Sequence, residues 1–531
     1  MKIFIPVIII LFAESLQAQW STDPNNNLIV GYGLDPNICS DSAGGCYITY
    51  DYNSTSYPRW LALERLDKYG YKPWGSLKQI LGELPEQSHA EIIEDGEGGV
   101  IVSYEDYELN WPSYTSRIRV QKVDSNGNFL WGTTGVKVTL DDINQGSQKI
   151  VNDGEGGAVV VWVNTLAEYK LNRISSDGQR NWGDSGIVAG INGWYDPALL
   201  VRTTNNKYVV SAERNKIKYF DENGNVFYTD SVVFWLSNLI SDGKGGTVLN
   251  GKVWNGMIPK LVAQRKDSIG SNLWQEPYIE IADSLHINTM LSIIQYGEYY
   301  FYGWMGKKNG NSEILQIQGL RSNGTLLFNR GSISLNNNPG VTTFIPIVPS
   351  DSASCIFISS YANGTFGQKI DTLGLLKWNP NQVLLNYPQF GLDHSFVTTD
   401  CIGGAIGLGV YLTDFTIPVF KVSAKGILGE IITYVSQEYQ EIFPLETILY
   451  QNYPNPFNPT TTINFSLPEE NNVKLKIYNT LGQTVAELVN SKLEAGQHSY
   501  RWDAKNYSSG IYFYELKTDK LISIKKMILI K

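Results

Sequence analysis

Residues 94–106 read EDGEGGVIVSYED, an acid-and-glycine turn running straight into a short apolar strand. Glycine accepts the positive φ of a tight hairpin without a side-chain clash, and Asp bonds its own backbone two residues on. The phrase returns as NDGEGGAVVVWVN at 152–164 and SDGKGGTVLNGKV at 241–253. Decayed copies are SDSAGGCYITY from residue 40, RTTNNKYVVSA from 202, IQYGEYYFYGW from 294, SDSASCIFISS from 350 and TDCIGGAIGLG from 399. The clearest turns place Asp95, Gly96, Gly98 and Gly99, then Asp153, Gly154, Gly156 and Gly157, then Asp242, Gly243, Gly245 and Gly246 in matching roles.

A second motif follows each copy, as in RLDKYGYKPWG, KVDSNGNFLWG, RISSDGQRNWG and RKDSIGSNLWQ. Its glycines are Gly70, Gly127, Gly178, Gly224, Gly270, Gly324, Gly374 and Gly426, spaced by 57, 51, 46, 46, 54, 50 and 52 residues. That period is the length of a four-stranded propeller blade. In one unit the strands fall on HAEIIED, VIVSYED, SRIRVQKVD and NFLWGTTGVKV. Trp74, Trp131, Trp182, Tyr228, Trp274, Phe328 and Trp378 each stand four residues after the motif glycine. They read as blade-to-blade packing rather than sugar-stacking faces. The fold expected is all-β, a β-propeller of about eight four-stranded blades over residues 19–435. Seven blades is the alternative, since NNLIVGYG at 26–33 is free to lend a strand to the last blade. TTNNK in the fourth unit, lacking glycine, marks a distorted turn.

The ends of the chain set its destination. MKIFIPVIIILFAESLQAQW carries Lys2, an apolar run and small Ala18, the pattern of a secretory signal peptide over 1–18 cut between Ala18 and Gln19. Its apolar run is too short to span a bilayer of roughly 30 Å, so no transmembrane span is expected in the mature protein. The polar SQEYQEIFPLE at 436–446 reads as a linker. Beyond it, from residue 447 to 531, TTINFSL, VKLKIYN, TVAELVN, HSYRWDA, IYFYELK and SIKKMILIK have strand length and apolar patterning, which predicts a small immunoglobulin-like β-sandwich.

This segment resembles the type A C-terminal sorting domain of the type IX secretion system. Three parts carry the likeness: the opening Tyr453, Pro454, Asn455, Pro456 and Phe457; VKLKIYNTLGQTV with Gly482; and SGIYFYELKT with Gly510, followed by Lys525, Lys526 and Lys531. The resemblance implies export across both membranes, with the secretion machinery as partner, and release or attachment at the outer cell surface. The second motif is also similar to the Asp-box turn of sialidase-type propellers, where Asp and Gly stand one residue closer. It is similar too to the repeat of pyrroloquinoline-quinone dehydrogenases, whose adjacent Cys pair this chain lacks.

Chemistry is sparsely signalled. The net charge is −10, and 10 Lys and Arg against 7 Asp and Glu from Thr447 onward leave −13 on the rest, which disfavours nucleic acid. The four histidines, His89, His286, His394 and His498, make no metal spacing, and no nucleophile motif is present, so no catalytic residue is assigned. Asp95, Glu97, Asp153 and Glu155 are oxygen donors that could take calcium, although turn preference alone accounts for them. No other cofactor is implied. Cys39 and Cys46, flanking SDSAGG, are candidates for a disulfide across a hairpin, with free thiols the alternative. Three roles fit: a binding or adhesion module for an extracellular polysaccharide or protein, which is favoured; a secreted polysaccharide hydrolase or lyase; or a structural surface protein without small ligand.

Overall fold

The computed structural model describes residues 20–52, 59–75, 77–80, 82–110, 113–191, 198–213, 215–255, 258–274, 277–282, 291–308, 312–328, 333–334, 346–351, 353–361, 364–378, 382–386, 392–411, 414–429, 447–452, 455, 457–493, 496–519 and 521–530. The proposed signal peptide with Ala18 and Gln19, the linker at 436–446, His286, Tyr453, Pro454, Pro456 and Lys531 lie outside them. Among the described residues no helix is long and apolar enough to cross a membrane.

The motif period folds into four-stranded antiparallel sheets. Blade 2 is typical, with strands Glu86–Glu94, Val100–Asn110, Ser113–Val123 and Val136–Lys137 in consecutive order. Its fourth strand is shorter than expected, because Phe129 makes one isolated bridge to Val123 and the chain then turns before pairing resumes. The fourth unit is not distorted: Asn206 takes the positive φ of 56° that glycine takes elsewhere, and all four strands pair.

First strands of successive blades touch one another around the ring, and that of blade 8, Leu392–Thr399, touches Leu28–Ser40 of blade 1. The ring therefore has eight blades. Strand Leu28–Ser40 serves two of them. Its leading half pairs with Thr416–Val422 through Leu28↔Val419 and Tyr32↔Thr416 as the outer strand of blade 8. Its trailing half pairs with Cys46–Tyr52 as the inner strand of blade 1.

Eight apolar clusters fill the eight seams between neighbouring blades. One, for example, joins Ile101, Ile118, Val120 and Trp131 of blade 2 to Ile150, Ala158, Val160 and Trp162 of blade 3. Each seam is registered by the motif aromatic. The indole N–H of Trp74 donates to Ser125 O at 3.0 Å, Trp131 to Ser176 O at 3.0 Å, Trp274 to Ser322 O at 2.9 Å and Trp378 to Ala424 O at 3.1 Å, all in the next blade. The ring lies on the motif glycine there: a Cβ on Gly127, Gly178, Gly324 or Gly426 would come within 3.1 Å of that indole. Blade 8 has no aromatic four residues after Gly426. Trp20 supplies it from the other end, donating to Lys68 O at 2.9 Å and covering Gly70.

A second staple comes from the first turn. Its Asp is buried and accepts from two turn amides, Asp95 from Glu97 and Gly99 at 2.8 Å and Asp153 from Glu155 and Gly157 at 2.8 Å. Its other oxygen faces a cation on the third strand: Arg65–Asp41 at 3.0 Å, Arg173–Asp153 at 2.9 Å, Arg265–Asp242 at 2.8 Å. Several of these cations reach on into the next blade, as Lys122 does to Gly156 O and Lys421 does from blade 8 to Gly44 O of blade 1, both at 2.8 Å.

The C-terminal sandwich sets Ile448–Leu449, Thr460–Leu467 and Gly496–Asp503 against a sheet ordered Thr484–Leu493, Asn471–Asn479, Gly510–Lys517 and Ile522–Leu529. Phe457 is buried in its core, 5.6 Å from Trp502, and its N–H donates to Ile528 O while its carbonyl accepts from Ile530 N. Asn455 accepts from Ile528 N at 2.8 Å, and Gly482 closes the Asn479–Gln483 turn with a φ of 76°. Lys525 and Lys526 stand opposite Tyr514 and Phe513.

The disulfide expected between Cys39 and Cys46 is not formed. All four thiols are free, because Cys39 pairs with Tyr47 and Cys46 with Ser40, and side chains one register apart leave opposite faces of the sheet.

Closure at Trp20 makes a testable seam. Trp20→Ala should destabilise the propeller by about 3–5 kcal/mol, read as a lowered urea midpoint. Leu373→Ala, at a side chain 76% exposed, should stay within about 0.5 kcal/mol of wild type.

Candidate ligand-binding mouth of the propeller

The glycine turns occupy one rim of the ring, and their charges are consumed there. Glu97 pairs with Lys122 at 2.8 Å and Glu155 with Arg173 at 2.6 Å, so the carboxylates considered for calcium are neutralised by cations and amides. Among the described residues no group of three or more His, Cys, Asp or Glu is arranged to hold a metal. A shallow cleft of about 320 Å³ between blades 4 and 6 includes Arg202, Lys244 and Glu298, and Lys244 and Glu298 pair with each other at 2.5 Å.

The opposite rim is different. There the inner strands bulge: the pairing slips between Leu34 and Asn37 in blade 1, Ser88 and Glu91 in blade 2, and Asp393 and Phe396 in blade 8, where His394 lies. Asp35, His89 and Ser147 hold positive φ of 48°, 51° and 53° at these kinks in blades 1 to 3. Such strained non-glycine residues are costly and re-aim side chains out of the ladder.

The kinks of blades 1 to 3 meet the sixth residue of a second strand, counted from its first residue: Asp51 in Cys46–Tyr52 and Glu105 in Val100–Asn110. Glu105 accepts from Ser147 N at 3.3 Å through Oε1, and its Oε2 lies 3.3 Å from His89 Nδ1. Ser88 Oγ stands 3.0 Å from the same nitrogen, and Gln148 donates to the His89 carbonyl at 2.6 Å. The Glu105 carboxylate is the main reason that the His89 pKa is raised, against the opposing effect of burial.

Asp51 is 1% exposed, and neither of its oxygens accepts a hydrogen bond of good geometry. Burial, then the neighbouring charge of Asp35, pushes its pKa up to about 7, with His89 and Arg59 acting the other way. A buried carboxyl in this state holds or yields a proton near neutrality. The mouth between blades 1 and 2 therefore gathers Asp35, Asp51, His89 and Glu105 into an acidic, protonatable group. Of the histidines weighed in the sequence, His89 lies in this polar site, and His498 stacks on Phe465 at 5.2 Å.

Residues 451–531 match the family of secretion system C-terminal sorting domains. With the eight-bladed ring, this defines an exported, sorted propeller protein, attached to the cell surface or secreted. No curated protein matches the chain. Among solved structures it is similar to BamB from Moraxella catarrhalis, at 14% identity and a TM-score of 0.32 over 66% of this chain and 84% of that one. It is also similar to PorZ, a surface component of the type IX secretion system of Porphyromonas gingivalis, at 8% identity and a TM-score of 0.18 over 95% and 100%. A third is a protein of unknown function from Bacteroides caccae, at 14% identity and 0.29 over 48% and 84%. The propeller itself is read from the strand pairing described above.

The raised Asp51 pKa has a fixed sign. The folded state holds this proton more tightly than the unfolded chain, whose pKa is near 3.8, so the stabilisation is full below about pH 4 and lost as pH rises through about 7. His89, also raised, acts in the same direction. Asp51→Asn, neutral throughout, should therefore raise the melting temperature more at pH 8 than at pH 4; an equal change at both would show that Asp51 does not titrate in this window.

Proposed function

We propose that this chain is a binding or adhesion module carried to the cell surface, which takes an extracellular polysaccharide or protein at the bulged mouth of its propeller. The observation that carries the reading is Asp51, a buried carboxyl without a good hydrogen-bond partner beside Asp35 and His89. Leaving such a group unpaired costs about 1–3 kcal/mol or more, a cost that a ligand group would relieve. In this reading residues 1–18 are a signal peptide removed on export, 19–435 the propeller, 436–446 a linker and 447–531 the sorting domain. The sorting domain engages the secretion machinery through the exposed parts of its sandwich.

A second reading has one observation behind it. A carboxyl with pKa about 7 near a carboxylate that pairs with His89 is the pairing that glycoside hydrolysis uses, one acid and one base. The two readings separate in a single experiment. Thermal-shift assays of the mature protein against a panel of bacterial and plant polysaccharides should show stabilisation that Asp51→Asn and His89→Ala weaken, with no new reducing ends. Reducing ends lost in Asp51→Asn would establish the hydrolase instead. Deletion of 447–531 should leave the protein cell-associated inside the outer membrane rather than at the surface or in the medium, read by protease shaving of intact cells.

A further inference from the structure

On the far side of the ring from Asp51, the seam between blades 5 and 6 carries a different combination of groups. Strands Trp235–Ser241 and Thr247–Asn255 pair with Trp235 opposite Lys252, so these two side chains share a face, joined two residues on by Trp254. Lys252 is the sixth residue of its strand, the position that Asp51 and Glu105 hold in blades 1 and 2. This face looks toward blade 6, because Val248 on the same side packs with Tyr300, Tyr302 and Trp304.

Trp235 and Trp254 are 52% and 40% exposed, with ring centroids 6.1 Å apart and planes at 67°. They present two apolar faces at an open angle. Deeper in the seam, Asn250 is fully buried, and both its side-chain nitrogen and oxygen lack hydrogen-bond partners; so do the Tyr302 hydroxyl and the Trp304 indole N–H, also fully buried. Burial lowers the pKa of Lys252 at the level between them.

We propose that this seam is a second binding site, independent of the acidic mouth, and that it takes an uncharged oligosaccharide. The apolar C–H faces of pyranose rings lie on Trp235 and Trp254, and hydroxyl groups meet the polar atoms of the seam. The mixture selects the class. Asn250 offers a donor and an acceptor, Tyr302 both, and Trp304 a donor only, a set that hydroxyls, which give and receive, complement. A polyproline segment would stack on the tryptophans equally well but lacks N–H groups for the acceptors. For an anionic ligand, the cation that the described residues of this face offer is Lys252, whose charge burial disfavours.

The test is isothermal titration of the mature full-length protein with hexasaccharides of β-1,4-glucose, β-1,3-glucose, β-1,4-xylose, β-1,4-mannose and α-1,4-glucose, together with a decaproline peptide. At least one sugar should bind at about millimolar concentration or below. Trp254→Ala and Trp235→Ala should each weaken it about tenfold or more, whereas Trp254→Phe, which keeps a stacking face, should retain most of the affinity. Melting curves of the exposed-site variants should overlay wild type. Leu373→Ala, at an exposed side chain of blade 7 outside both sites, should bind the same sugar unchanged. The proposal is overturned if no sugar in the panel binds, if Trp254→Ala binds as wild type does, or if decaproline alone binds through Trp254.

Discussion

Most joints of the ring depend on an indole lying on a glycine. The motif glycine has positive φ and no side chain, so the aromatic of the preceding blade can rest against bare backbone and donate its N–H to a carbonyl of the same turn. Any Cβ there would collide with the indole within about 3.1 Å. The contact fixes both the distance and the angle between consecutive blades, and a fixed angle repeated is what decides how many blades complete a circle. The buried Asp and its Lys or Arg partner work alongside it, tying the first turn of one blade to its own third strand and, through Lys122, Arg265 or Lys421, to the next. Charges taken out of water are stabilising only when fully bonded, and here the Asp oxygens meet turn amides on one side and a cation on the other.

The division of labour between the two rims follows. On the turn rim the same residues recur because the same joint recurs, and their acids and bases cancel. On the opposite rim nothing in the joint constrains the sixth residue of the second strand, which is Asp51, Glu105, Glu213 and Lys252 in different blades. There the inner strands kink, polar atoms stay buried without partners, and tryptophans stand exposed. Structure repeats on one rim and chemistry varies on the other.

This also explains what could be read from the residues alone. The glycines and turn acids announce themselves at a regular period, since positive φ admits few residue types, and so the blades and their first three strands were legible, whereas the choice between eight blades and seven waited on how the ring closes. The sandwich was equally legible from its alternating strands and the Tyr453–Phe457 opening. Trp20 was not, because its role belongs to a repeat nearly the whole ring away; only the missing aromatic after Gly426 hinted at it. The parity that separates Cys39 from Cys46 depends on where the hairpin closes, which spacing does not give. His89, Asp51 and Asn250 carried no motif. They matter through bulges and unsatisfied burial, and those are properties of packing between blades.

Closure by Trp20 and the strand beginning at Leu28 has a temporal side. Trp20 covers Gly70, and a Cβ on Gly429 would strike the backbone of Ser21, so the residues that finish the circle stand about 400 positions apart in the chain. At about 5–20 residues per second, the first of them waits roughly 20–80 seconds after emerging before its partner is made. Throughout that interval the outer edge of the eighth blade does not yet exist, and Leu28–Tyr32 has nothing to pair with. Contacts of such sequence separation are slow to form, and an open arc with bare strand edges is what a translocation pathway would receive. A chain that crosses a membrane before its last blade has formed is still threadable; once Trp20 has docked, it is a closed object that can only travel whole.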